Sequence, residues 1–169
     1  MEHTNVKILA ISDVPSKALW DYDTRARLEG IDLILSCGDL PKKYLEYLTN
    51  FTAAPILYVH GNHDGSYKGD EPGGCICVDD QVYTWKGLRI MGLGGSIKYN
   101  MRPDSYQYTE KEMSGRVRKL RRKAHKAGGI DLLCVPPGRI LPQPWNTKGQ
   151  CGQNEQDNND CPSRMPSSA

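Results

Sequence analysis

The 169-residue chain lacks long apolar runs and a strong charge of either sign, and its first residues do not predict an export signal. No apolar stretch approaches the roughly 20 residues that a membrane-spanning helix needs, so no membrane partner is expected. The net charge of only +2 excludes a strongly basic nucleic-acid binder as the default class. Residues 1–7 carry polar side chains and do not resemble a secretory signal. We therefore expect a soluble, cytoplasmic, globular protein.

The six cysteines do not follow a pattern typical of secreted or zinc-finger proteins. They are Cys37, Cys75, Cys77, Cys134, Cys151 and Cys161. Without an export signal, reduced thiols are expected rather than a disulfide framework. Cys75 and Cys77 are two residues apart, but no second Cys or His pair follows at zinc-finger spacing. A structural zinc site is therefore not expected.

The first 60 residues alternate between apolar and helix-like segments. Strands are predicted at 6–11, 31–36 and 56–59, with helices at 16–29 and directly after Pro41. Parallel strands need long crossover connections, which the intervening helices supply, so this alternation predicts an α/β fold with parallel pairing.

From residue 76 the pattern changes to short strands divided by turns. Strands at 76–78, 82–85 and 88–93 are separated by polar or glycine turns, which predicts antiparallel hairpins. A helix is predicted at 109–127, because Thr109 and Glu112 form a capping box ahead of an apolar stripe. A final strand is predicted at 130–135.

Residues 136–169 differ in composition from the rest of the chain. They hold six of the eleven prolines, and the polar run at 153–160 shows no helical or strand periodicity. Such a segment buries too little apolar surface to offset the entropy of ordering. We expect a domain at 1–135 and a disordered or foreign tail at 136–169.

Polar side chains follow each of the first three predicted strands. The strands end in Ser12-Asp13, in Cys37-Gly38-Asp39 and in the run from His60 to Asp64. Ligands of open parallel sheets gather at the carboxyl ends of the strands, so these side chains are expected to converge. Carboxylate, amide and imidazole groups suit Mn²⁺, Fe or Zn²⁺. An isolated Asp after a strand is more often a turn residue or helix cap, but the joint pattern favours a metal site.

The order of these motifs resembles the calcineurin-like metallophosphoesterase family over about residues 5–133. The motifs that carry the resemblance are Asp13, Gly38-Asp39, Gly61-Asn62-His63-Asp64 and Gly94-Gly95-Ser96. The resemblance implies a metallo-dependent phosphatase-like α/β/β/α sandwich of two facing sheets, apparently truncated here. It also implies two divalent metal ions, which would be Mn, Fe or Zn.

The resemblance assigns a role to each matching residue. Asp13 would bind the first metal ion, Asp39 would bridge both ions and Asn62 would bind the second. His63 would contact the phosphate and protonate the leaving oxygen. Asp64 would orient His63 through a hydrogen bond.

Two features depart from the family pattern. Pro15 stands where the family usually has a histidine, and proline cannot bind a metal. The family's later histidine motifs should lie beyond residue 133, yet no histidine follows His125. The composition changes where those motifs are due, which suggests that the segment after residue 133 is frame-shifted or foreign. Metal occupancy and activity are expected to be impaired as a result.

Three functional hypotheses remain open. The first is a metallophosphoesterase, a hydrolase that cleaves a phosphomonoester or phosphodiester substrate with a metal-bound hydroxide. The alternative is a catalytically inactive metallophosphoesterase-like domain that binds phosphate or serves as a scaffold. The third is a nucleic-acid module built on the basic helix at 109–127. It is less favoured, because lysine and arginine are ordinary on the solvated face of a helix, and no stable nucleic-acid partner is expected.

Overall fold

The structure is a computed structural model that describes residues 5–20, 23–100 and 105–137. Within these ranges it is a mixed α/β fold with three α-helices and nine strands. The helices are α1 (Thr24–Leu28), α2 (Lys42–Thr49) and α3 (Glu110–Lys126). The strands are β1 (Ile8–Ile11), β2 (Leu33–Ser36), β3 (Ile56–Tyr58), β4 (Cys75–Cys77), β5 (Gln81–Trp85), β6 (Leu88–Gly92), β7 (Ser96–Ile97), β8 (Gln107–Tyr108) and β9 (Leu132–Cys134).

The first sheet has the order β1-β2-β3-β4, and all its neighbouring strands pair in parallel. This confirms the predicted parallel pairing of the first three strands. The antiparallel prediction for 76–78 is wrong, since β4 adds to the edge of β3 in parallel. The connection between them contains a 3₁₀ helix at Asp64–Tyr67 and is long enough for a parallel crossover.

The second sheet has the order β5-β6-β9 and is mixed. The β5–β6 hairpin is antiparallel, as its Lys86-Gly87 turn predicts, and both turn residues have positive φ angles. Strand β9 then pairs in parallel with β6. Strands β7 and β8 form a separate parallel pair.

The helices agree with the sequence pattern in part. The capping box of Thr109 and Glu112 is present at the start of α3, where their side chains and backbone bond reciprocally. The single helix predicted at 16–29 is instead a 3₁₀ helix at Lys17–Leu19 followed by α1. Among the described residues, no helix is both long and apolar enough to cross a membrane.

Three apolar clusters hold these elements together. The first joins one face of the first sheet to the helices through residues such as Ile34, Tyr44 and Leu48. The second lies between the two sheets and includes Leu57 and Ile90. The third joins the second sheet to α3 and consists of Met91, Leu93, Met113, Val117 and Leu120.

The predicted tail lies almost entirely outside the described residues. Only its first two residues, Pro136 and Pro137, fall within them. They follow β9 after one intervening residue, Val135, and line the cavity where the polar motifs gather.

Candidate metal centre

Four predicted site residues line one cavity of about 150 Å³ at the carboxyl ends of the first three strands. These residues are Asp13, Asp39, Asn62 and His63. The remaining lining residues are Gly95, Ser96, Tyr99, Pro136 and Pro137. The loops after β1, β2 and β3 therefore bring together the side chains that the strand-end motifs predicted.

Both cavity aspartates have left-handed backbones. The φ angle is 57° at Asp13 and 58° at Asp39. Asp tolerates this region better than most residues, but it remains uncommon and costs conformational energy. Strained backbone of this kind clusters at functional sites, and here it occurs at the two predicted carboxylate ligands.

Two glycines allow the loops to approach each other. Gly38 has a φ angle of 92°, and a Cβ at this position would lie 2.5 Å from the backbone nitrogen of Gly61. A Cβ on Gly61 would in turn overlap the Asp39 carboxylate. Only glycine at both positions leaves room for Asp39 to face the cavity.

The hydrogen bonds of the cavity side chains leave oxygen atoms available for a ligand. Asp39 Oδ1 accepts the backbone N–H of His63 at 2.7 Å. Asn62 Nδ2 donates to the Tyr99 hydroxyl at 2.9 Å, which leaves the amide oxygen of Asn62 as a free acceptor. Within the described part of the chain, the Asp13 carboxylate makes no hydrogen bond. The cavity therefore contains oxygen atoms that are available to bind a ligand.

Asp64 does not line the cavity but holds two of the loops that form it. Its side chain is buried, and its Oδ2 accepts the backbone N–H groups of Gly61 at 2.7 Å and of Asp39 at 2.9 Å. Burial raises the pKa of Asp64, while these two hydrogen bonds act in the opposite direction. The resemblance implies that Asp64 orients the His63 ring, but in the described structure its hydrogen bonds go to the backbone of Asp39 and Gly61. Asp64 therefore joins the β2 and β3 loops.

A second group of metal-binding type lies next to this cavity and was missed by sequence reasoning. His60, Cys77 and Asp79 each offer a ligand atom, and these atoms lie within 4.8 Å of one another. His60 Nδ1 is 2.7 Å from Asp79 Oδ2 and 3.9 Å from Cys77 Sγ. This set of nitrogen, sulfur and oxygen donors could hold a metal ion. Its members come from the ends of two paired strands, so no short spacing in the sequence marks them.

The surroundings of His60 favour its protonated form, paired with the Asp79 carboxylate. Burial lowers the pKa of His60, but its hydrogen bonds to Asp79 and Cys77 outweigh burial and raise this pKa to about 9. The Tyr106 ring stacks on the imidazole at a centroid distance of 4.1 Å. His60 Nε2 is buried and has no hydrogen-bond partner among the described residues. An ion at this group would displace the His60–Asp79 hydrogen bond.

Arg116 of the basic helix α3 makes contacts within the fold and does not simply face solvent. Arg116 donates to Asp80 at 2.9 Å and to the carbonyl of Gly94 at 2.8 Å. Its guanidinium also lies over the Tyr108 ring. Arg116 therefore fixes the start of the glycine loop whose next residues, Gly95 and Ser96, line the cavity.

No protein-family profile matches the sequence. No curated protein matches it either.

Proposed function

We propose that this chain is a metal-dependent phosphoesterase domain of the calcineurin-like type, with impaired activity. The observation that carries the proposal is the single cavity lined by Asp13, Asp39, Asn62 and His63. These residues come from three different loops, so their meeting is not a consequence of nearness in sequence. The substrate class is a phosphomonoester or a phosphodiester.

The donor set of the cavity fits a divalent cation. The carboxylates of Asp13 and Asp39 and the amide oxygen of Asn62 would be the metal ligands, and ligands of this kind suit Mn²⁺, Fe or Zn²⁺. The resemblance implies two ions, and Asp39 would be a ligand of both. Asp13, Asp39 and Asn62 provide three protein ligands for one ion and keep His63 free for the phosphate. The histidines missing at position 15 and after His125 leave a second ion short of ligands. We therefore propose full occupancy of one position and weak occupancy of the other.

The protein's own side chains would divide the work of phosphoester hydrolysis. Bound divalent ions neutralise phosphoryl charge and lower the pKa of water, which is the chemistry they would supply here. The exposed His63 side chain at the cavity would donate a proton to the leaving oxygen. Asp64 would hold Asp39 in place by accepting its backbone N–H, instead of orienting the His63 ring.

The layering of the fold supports the same proposal. The three apolar clusters join α1 and α2 to the first sheet, the first sheet to the second, and the second sheet to α3. This succession is the one expected for an α/β/β/α metallophosphatase-like sandwich.

The proposal is tested by metal titration and turnover with the full chain. We expect calorimetry to detect Mn²⁺ binding that Asp39→Asn weakens at least tenfold. We expect slow hydrolysis of bis-p-nitrophenyl phosphate, reduced by a factor of about 10²–10⁴ in His63→Ala with Mn²⁺ binding retained. Asp70→Asn, which alters an exposed carboxylate paired with Lys42, serves as the matched control. Absence of Mn²⁺ binding by the unaltered chain would contradict the proposal.

The alternative function is a catalytically inactive domain that binds phosphate. Proline at position 15 and the lack of histidines after His125 favour it, because they reduce the number of metal ligands. The two functions differ in one measurement. Metal-dependent binding of inorganic phosphate without turnover of any ester supports the inactive domain, whereas turnover lost in His63→Ala supports the enzyme.

A further inference from the structure

Two cysteines from different sheets meet beside the cavity. Cys37 directly follows β2 of the first sheet, and Cys134 ends β9 of the second. Their sulfur atoms are 3.7 Å apart although the residues are 97 positions apart in sequence. Both side chains belong to the apolar cluster between the sheets.

We propose that Cys37 and Cys134 form an intramolecular disulfide under mild oxidation and so cross-link the two sheets at the edge of the cavity. A disulfide bond is about 2.05 Å long, so the sulfur atoms need to approach by less than 2 Å. Closing the bond therefore requires rotation of the two side chains or a small shift of the strands that carry them. The proposal does not depend on the phosphoesterase function.

The fold keeps the other described cysteines away from this pair. Cys75 and Cys77 lie on β4 and pack into the cluster on the helix-covered face of the first sheet. Cys37 and Cys134 pack into the cluster on the opposite face. The sheet itself therefore separates the two pairs.

Cys37 and Cys134 differ in solvent exposure, so they would play different parts in forming the disulfide. Cys37 is half-buried, whereas Cys134 is fully buried. Hydrogen peroxide therefore reacts first at Cys37. The sulfur bonds to one peroxide oxygen, the O–O bond breaks and water leaves, so that a sulfenic acid remains. The Cys134 sulfur then displaces the hydroxyl group of that sulfenic acid as a second water. Overall, two thiols and one peroxide give one disulfide and two waters, and a thiol reductant reverses the change.

The cross-link would act on the cavity through two short segments. Cys37 lies two residues before Asp39, and Cys134 lies two residues before Pro136. Both Asp39 and Pro136 line the cavity. Closing the disulfide therefore restrains the cavity wall from both sheets.

Peptide mapping of the full chain tests the proposal. After treatment with dilute peroxide, alkylation and trypsin, we expect peptides 28–42 and 127–139 to appear as one cross-linked species. Each of these peptides contains a single cysteine. The species should disappear after reduction. We also expect the thermal midpoint of the oxidised monomer to rise by roughly 5 °C, because the disulfide closes a long loop in the unfolded chain.

Controls separate this pair from the remaining thiols. A Cys151→Ser, Cys161→Ser double variant removes the cysteines outside the described residues and should still form the cross-link. Cys134→Ser should abolish it, while Cys75→Ser should not. Three results would overturn the proposal: peptides 28–42 and 127–139 that stay separate after peroxide treatment, Cys37 linked to another cysteine, or linkage only between two chains. The mapping of the unaltered chain decides the matter even where a variant fails to fold.

Discussion

The backbone N–H of Asp39 donates a 2.9 Å hydrogen bond to the buried carboxylate of Asp64. The same oxygen of Asp64 accepts the N–H of Gly61 at 2.7 Å. One side chain thus satisfies two backbone donors from the loops after β2 and β3. The position of Asp39 in the cavity depends on this contact.

Asp64→Ala should destabilise the fold by about 2 kcal/mol, since it leaves two backbone N–H groups without their acceptor in a buried place. Urea denaturation followed by circular dichroism measures the effect. Asp70→Ala provides the control, because the pair of Asp70 with Lys42 is largely exposed. The control should change stability by less than about 1 kcal/mol. Equal effects of the two variants would show that Asp64 does not join the loops.

Gly61→Ala should destabilise the protein by about 1–3 kcal/mol and weaken Mn²⁺ binding, because the new methyl group would displace the Asp39 carboxylate. Gly115→Ala is the matched control within α3. A Cβ at Gly115 meets nothing within 4 Å, so this variant should be more stable by about 0.5–1 kcal/mol. Thermal unfolding and calorimetric titration check both variants. Unchanged Mn²⁺ affinity in Gly61→Ala would contradict the placement of Asp39 as a ligand.

Cobalt spectroscopy should distinguish the two groups of metal-binding type. Co²⁺ bound at His60, Cys77 and Asp79 would show a thiolate-to-metal charge-transfer band, since that group contains a sulfur ligand. Co²⁺ bound in the cavity with Asp13 and Asp39 would show none. We expect Asp39→Asn to remove the binding that lacks this band, and Cys77→Ser to leave that binding intact. A band that dominates the first equivalent of Co²⁺ would assign the stronger site to the His60 group.

The contribution of Asp131 to stability should be lost in acid. Hydrogen bonds from the side chain and backbone of Arg89 lower the pKa of Asp131 to about 2, below its ordinary value of 3.8. Folding therefore releases a proton from Asp131 between these values, so its contribution is complete above about pH 5 and falls as the pH drops toward 2.

The measurement is the difference in thermal midpoint between the unaltered chain and Asp131→Asn from pH 6 to pH 2.5. This difference should be largest near pH 6 and shrink in acid. Glu29→Gln, which also removes one exposed carboxylate, serves as the matched control. A difference that stays constant with pH would contradict the role of the Arg89–Asp131 pair.

Short sequence patterns were enough to predict the start of one helix and the positions of three strands. The capping box at Thr109 marks the start of α3, and apolar runs mark the first three strands, of which β2 and β3 are buried. The edge pairing of β4 could not be predicted, because three apolar residues beside turns fit a hairpin as well as a parallel edge. The choice between them depends on the tertiary path of the chain.

The candidate site was predictable to a similar extent. Asp13, Asp39, Asn62 and His63 were found because strand ends of a parallel sheet share one edge. The group of His60, Cys77 and Asp79 was missed because its assembly depends on the pairing of β3 with β4. The contact of Cys37 with Cys134 requires two sheets to pack face to face, which no spacing in the sequence encodes.

The left-handed backbones of Asp13 and Asp39 link the shape of the cavity to its charge. A glycine at either position would relax the turn, but it would also remove a carboxylate. Selection or engineering for greater stability at these two turns would therefore tend to remove negative charge from the cavity.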